Sequence, residues 1–257
     1  MEWVIIAIAA FATSLVTFFS GFGLGTLLAP VFMIFFPVDV AIALTGIVHL
    51  ANNLFKLTLT SAHAHWPTVW RFGIPAVLAA IPGAWLLIVL SHSSPLFSYE
   101  IAEHSFSVFP VKLLIAILLI VFSVMELIPY FNRLTFGKNL LPIGGVLSGF
   151  FGGLSGNQGA LRTAFLIKAG LSKEAFIATA VVVSVGVDFT RIGLYFSRMS
   201  KIPIAENYSL LIAATLSAIA GAYLGNLLLK KITLRFIQIS VAVLLILLSL
   251  ALALGWV

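Results

Sequence analysis

Long apolar runs divided by short polar stops make up almost the whole chain. The runs cover residues 3–20, 24–36, 39–61, 73–90, 111–129, 140–153, 159–168, 174–197, 208–229 and 234–255. Most are hydrophobic on every face, the pattern of helices in lipid rather than of helices with one face in water. A helix rises 1.5 Å per residue and a hydrocarbon core is about 30 Å thick, so 24–36, 140–153 and 159–168 are too short to span it. The pairs 3–20 with 24–36 and 140–153 with 159–168 therefore read as broken-helix hairpins with glycine tips inside the membrane. Two of the full-length runs carry polar stripes. Thr45, His49, Asn52, Asn53 and Lys56 recur at three- and four-residue spacing in the first, and Ser184, Asp188, Arg191 and Tyr195 do so in the second. Each set shares one helix face, which the pattern turns towards the bundle interior.

Composition fixes the class that the pattern suggests. With 61% hydrophobic and 9% charged residues, 257 residues hold about eight to ten spans or half-spans and leave no room for a soluble domain. The expectation is an all-α polytopic membrane protein forming one integral domain over residues 1–257. The first run lacks a basic leader and a small-residue cleavage site, so it is expected to stay as a membrane helix. Absence of cysteine excludes thiol catalysis, disulfides and thiolate metal sites.

The net charge of +6 changes the topology rather than the partner class. Arg71, Arg133, Lys138, Lys168, Lys173, Lys230, Lys231 and Arg235 fall in one set of loops, and the positive-inside rule makes that set cytoplasmic. Both termini are then expected outside, and the basic residues act as membrane anchors, not as a nucleic-acid surface. The second hairpin opens from the cytoplasm and the first from the opposite side, so the halves, about 1–130 and 138–257, read as two inverted repeats. Each repeat is a Gly-rich broken-helix hairpin plus three transmembrane helices. Duplication is also written in the residues: Ala79-Ala80-Ile81-Pro82-Gly83-Ala84-Trp85-Leu86 matches Ser217-Ala218-Ile219-Ala220-Gly221-Ala222-Tyr223-Leu224. Inverted repeats with interrupted helices are a signature of secondary transporters with a site near the bilayer midplane.

The glycine hairpins, their order and the run Gly156-Asn157-Gln158-Gly159-Ala160-Leu161-Arg162-Thr163-Ala164-Phe165-Leu166, followed by Ala169-Gly170-Leu171, resemble the sulfite exporter TauE/SafE family, also called the sulfonate uptake permease family. The likeness extends over essentially the whole chain. It implies a bacterial inner-membrane permease for sulfite, organosulfonates or other small anions. Members typically carry three glycines followed by a proline in both halves. Here the second copy has Gly156-Asn157-Gln158, with Thr163 in the place that Pro30 holds in the first, so ligand discrimination is expected in the second copy.

Candidate chemistry follows from the hairpins and the stripes. Half-helices starting at the glycine tips aim free N–H groups and positive dipole ends inward, which suits an anion. Substrate contacts are therefore expected from Gly23, Gly25 and Thr26 in the first hairpin and from Ser155, Gly156, Asn157, Gln158, Gly159, Arg162 and Thr163 in the second. His49, Asn52 and Asn53 join them from the first stripe. Arg162 offers forked donors to a sulfonate or sulfite oxygen pair. Asp188 with Arg191 reads as an ion pair, and Lys56, His49 and Asp188 as groups that could couple anion movement to protons. Gly145, Gly149 and Gly153, four residues apart, suit close helix packing. His63 and His65 sit two apart beside Trp66 without a carboxylate or thiolate, which suits an interfacial loop and no metal. No cofactor is expected. The expected partners are a small anionic substrate and the lipid bilayer, with proton coupling and a homodimer left open. A carrier for another anionic metabolite, a passive anion channel and an intramembrane enzyme stand as alternatives. An enzyme would need a nucleophile with a base, a metal set or paired carboxylates, and the chain offers Asp188 as its only mid-span carboxylate.

Overall fold

The computed structural model of the chain describes residues 2–20, 24–101, 104–128, 136–167, 169–198, 204–228 and 234–256. Ten principal helices account for nearly all of it. In the first half these are α1 (Glu2–Ser20), α2 (Leu24–Met33), α3 (Val38–Thr60), α4 (Ile74–Ser91) and α5 (Pro110–Leu127). In the second half they are α6 (Leu141–Ser155), α7 (Gly159–Leu166), α8 (Lys173–Arg198), α9 (Ile204–Leu228) and α10 (Leu234–Ala253). The three runs expected to be half-helices, α2, α6 and α7, are 10, 15 and 8 residues long. Four stretches, Val38–His63, Trp66–Ser91, Lys173–Ser197 and Glu206–Gly225, are long and apolar enough to cross a membrane. Trp70, Leu78, Trp85, Phe189, Leu216 and Leu247 are more than half exposed around the bundle, as side chains against lipid are. The chain is a multi-pass membrane protein.

Two boundaries differ from the hydrophobic pattern. The fourth span begins at Trp66, where a helical turn over Trp66–Thr68 and a π-helical turn over Val69–Gly73 lead into α4. Arg71 interrupts the apolar run there, but one charge on an exposed face does not stop backbone hydrogen bonding. The connection from α4 to α5 is not bare loop: β1 (Phe97–Ile101) pairs antiparallel with β2 (His104–Val108). This hairpin is the one departure from an all-α chain among the described residues, and it follows the period-two alternation Phe97, Tyr99, Ile101.

The halves pack by exchange. α4 of the first half lies along α6 of the second, and α9 of the second half lies along α1 of the first. The last helices, α5 and α10, pack on each other, as do the two polar-stripe helices α3 and α8. Swapping the halves leaves this pattern unchanged. The matched octapeptides explain the first two seams. A Cβ on Gly83 would overlap the Phe150 carbonyl oxygen and crowd the Leu154 nitrogen on α6. A Cβ on Gly221 would overlap the Phe11 carbonyl oxygen and crowd the Leu15 nitrogen on α1. The glycine trio on α6 works from the other side of the first seam: Cβ atoms on Gly145, Gly149 and Gly153 would overlap the carbonyl oxygens of Phe72, Ala76 and Ala80. Both series climb by four, so α6 and α4 run parallel with their backbones in contact.

This seam sets the depth of the second tip. α6 ends at Ser155, level with Gly83, while α4 continues for about 12 Å of helix to Ser91 at 1.5 Å per residue. After the tip, α7 returns alongside α6, with Phe165 packed against Gly144 and stacked on Phe136 at 4.3 Å. The Cβ position of Gly170 lies 3.3 Å from Lys138 Nζ, so the hairpin ends beside its own start. It enters and leaves at one end of the bundle.

Candidate functional site

The tip of the second hairpin is a left-handed turn. Gly156 closes α6 at φ 76°, a conformation that suits glycine, and its amide donates to the Gly152 carbonyl at 2.9 Å. Ser148 Oγ donates to the Gln158 carbonyl at 3.3 Å, and the Asn157 amide donates to Ser155 Oγ at 3.3 Å. These bonds hold Asn157 and Gln158 with buried side chains at the mouth of α7.

There the two hairpins touch. Thr26 Oγ1, in the first turn of α2, donates to Asn157 Oδ1 at 2.9 Å, and the Cβ position of Gly25 stands 3.4 Å from the Gly156 carbonyl oxygen and 3.8 Å from the His49 ring. Gly25, Thr26, Ser155, Gly156, Asn157, Gln158 and Gly159 are thus gathered at one place, all buried. Gly23 lies outside the described residues. Thr163 is half-buried one turn further along α7.

The stripes close over the tips from α3 and α8. Asp188 is fully buried and accepts from both halves of the chain. Its Oδ2 receives His49 Nδ1 at 2.6 Å and the Asn53 amide at 3.2 Å, while its Oδ1 receives Arg191 Nε at 2.9 Å and pairs with Arg191 Nη2 at 2.9 Å. The sequence expectation of an Asp188–Arg191 ion pair is thus met, with His49 added from across the bundle. Arg191 needs room to reach this place. A Cβ on Gly156 would come within 2.7 Å of Arg191 Nη1, and one on Gly46 within 3.3 Å of Nη2, so two glycines leave the guanidinium its slot. Tyr195 donates through its hydroxyl to the Gly153 carbonyl, tying α8 to the end of α6. Arg162, three residues into α7, donates to Ser184 Oγ, one turn before Asp188. Lys56, also buried, ends the α3 stripe.

Hydrogen bonding leaves this cluster incomplete among the described residues. Among the described residues two buried arginines, Arg162 and Arg191, stand with one buried carboxylate, Asp188. Asn157 Nδ2, Gln158 Nε2 and Oε1, Asn52 Nδ2 and Thr45 Oγ1 are buried and have no hydrogen-bond partner among the described residues. Leaving one such group unpaired costs about 1–3 kcal/mol. A group of unpaired amide donors beside two arginines is chemically suited to a small anion.

Three contributors are not visible in the residue pattern. Ser14 on α1, which donates to Asn52 Oδ1 at 3.4 Å, is one of several small hydroxyl residues in an apolar run, with nothing in the spacing to set it apart. Ser148 and Gly46 lie among other small residues, and their roles depend on what faces them. His63 and His65 lie in an exposed segment, where the His65 ring bonds to Thr68 Oγ1 at 2.9 Å.

No curated protein and no solved structure matches the chain. A family model described as sulfite exporter TauE/SafE matches residues 6–252, nearly the entire sequence and both hairpins. The resemblance read from the glycine tips is borne out, and the chain belongs to the sulfite exporter TauE/SafE family of membrane transporters.

Proposed function

We propose that the protein is a secondary transporter of a small sulfur oxyanion or organosulfonate across the bacterial inner membrane, working by alternating access. One observation carries this reading: the side-chain amides of Asn157 and Gln158 are buried without a hydrogen-bond partner among the described residues, at the tip where Asn157 meets Thr26 of the other hairpin. Asn157, Gln158 and the first turns of α2 and α7 hold the anion, and Arg162 supplies charge-assisted donors. Gly25, Gly156 and Gly159 let the anion approach backbone N–H groups without a Cβ in the way. Asn52 completes the donor set from α3. The exchange pattern of helix packing supports two inverted repeats, about 1–130 and 138–257, that rock around this point. The loop charges support both termini outside. Protons are coupled through His49 and Asp188, which share a hydrogen bond between the halves.

Reconstitution into proteoliposomes tests the reading. Saturable flux of sulfite, thiosulfate or sulfoacetate, with counter-transport and little flux of a carboxylate control, is the expected result. Saturable flux of the carboxylate alone would assign a different metabolite, and non-saturating conduction would make the protein a channel. For coupling, His49→Ala is expected to flatten the dependence of transport on pH. An unchanged pH profile in that variant would take His49 out of the proton path.

A further inference from the structure

The hairpin β1–β2 stands apart from the site, and its two faces differ sharply. In register, Phe97 opposes Val108, Tyr99 opposes Phe106 and Ile101 opposes His104, so one face is mostly apolar and largely aromatic, with His104 at its turn end. The Tyr99 and Phe106 rings lie 5.5 Å apart and the Phe97 and Tyr99 rings 6.4 Å apart. The alternate positions Ser98, Glu100, Ser105 and Ser107 form the other face, where the Ser98 and Ser107 hydroxyls bond at 2.8 Å. Only part of the apolar face is covered by the bundle. Phe97 and Ile101 remain 58% and 53% exposed, an arrangement that costs free energy in water.

Its level relative to the membrane is fixed by three attachments. The hairpin joins the end of the span Trp66–Ser91 to the start of α5. Tyr99 donates through its hydroxyl to the Leu254 carbonyl at 2.5 Å, at the end of α10. Gly255 presses on Ser107, since a Cβ there would overlap the Ser107 carbonyl oxygen. Trp256, beside this contact, is 56% exposed. Three membrane helices therefore end where the hairpin begins, which puts it at the boundary between headgroups and acyl chains, the zone that tyrosine and tryptophan favour.

We propose that β1–β2 is an amphipathic hairpin lying in the plane of the membrane interface. Phe97 and Ile101 are immersed at the acyl boundary of the lipid and the serine face is turned to water. Its partner is the lipid surface itself. Through Tyr99 it also clasps the carbonyl end of α10, so that the last helix is moored to the interface by side chains and not only by its own hydrophobicity.

The cysteine-free sequence makes the test direct, because each single-cysteine variant carries one spin label. Phe97→Cys, Ser98→Cys, Glu100→Cys and Ile101→Cys are labelled in lipid nanodiscs, and collision with oxygen, which partitions into lipid, is compared with collision with a water-soluble nickel chelate. The expected oxygen-to-nickel ratio alternates with period two and is at least about threefold higher at 97 and 101 than at 98 and 100. Equal ratios at all four positions overturn the proposal. So does spin–spin broadening at 97 or 101, which would assign the apolar face to a second copy of the chain. Should a variant fail to fold, lipid-phase carbene footprinting of the unsubstituted protein reads the same face: modification of Phe97 and Ile101 above Glu100 supports immersion, and the reverse order refutes it.

Discussion

The first hairpin tip opens α2 with Leu24-Gly25-Thr26-Leu27, and Thr26 is the one side chain there with a hydrogen-bonding group; the second tip offers Asn157, Gln158 and Arg162 within six residues. The helices that close over the tips divide in the same way. α3 supplies mostly neutral donors, with Lys56 at its end, whereas α8 supplies Asp188 and Arg191. Yet the seams that place the two hairpins are near copies, each with a glycine of α4 or α9 pressed on the backbone of α6 or α1. The framework is thus shared by both halves while the charge is concentrated in one. An asymmetric ligand needs only one set of charged donors, but two hairpins can meet at a common depth only if both are seated alike.

The largest expected effect comes from removing the acidic centre of the charged half. Asp188→Asn leaves Arg191 buried beside a neutral amide, and breaking a buried pair in this way costs about 3–5 kcal/mol. Thermal unfolding in detergent should show a larger loss for this variant than for any neutral substitution on α3. Next comes Arg162→Gln, which removes a charged donor worth about 1.5–3 kcal/mol and should weaken anion affinity by roughly tenfold to a hundredfold without a matching loss of melting temperature. If the melting temperature falls and affinity holds, Arg162 belongs to the framework and the division between halves fails. The framework itself is probed by Gly83→Ala and Gly221→Ala, each forcing apart two backbones at a cost of about 1–3 kcal/mol. Similar losses would confirm matched seams, with Gly193→Ala, whose Cβ meets nothing within 4 Å, as the harmless control. The smallest effect is predicted for Thr26→Val. Loss of one neutral hydrogen bond between the tips, about 1 kcal/mol, should reduce affinity by up to about fivefold.

Much of the fold is legible in the chain because lipid imposes simple rules. Run lengths identify α2, α6 and α7 as half-helices, since a helix either has enough residues to cross the hydrocarbon or does not. Four-residue spacing of Gly145, Gly149 and Gly153 signals close packing, and the stripes of α3 and α8 signal inward faces. The hairpin β1–β2 escapes such a reading, as ten residues of alternating character in a polar connection carry no membrane signal. The start of the fourth span at Trp66 escapes it too, because Arg71 breaks the apolar run without breaking the helix.

By itself the sequence determined which segments are helical, which stop half-way, which faces are polar and which family the glycine tips resemble. All of these follow from local spacing and from the cost of exposing backbone or charge to lipid. Tertiary structure alone decided what each face meets. Helical periodicity turns His49 and Asp188 inward but carries no information that they share a hydrogen bond across 139 positions. Nor can it say that Gly156 and Gly46 empty a slot for Arg191, or that Thr26 reaches Asn157. Those pairings depend on the depth at which the α4–α6 and α1–α9 seams lock, which is set by backbone contact between distant glycines and carbonyls.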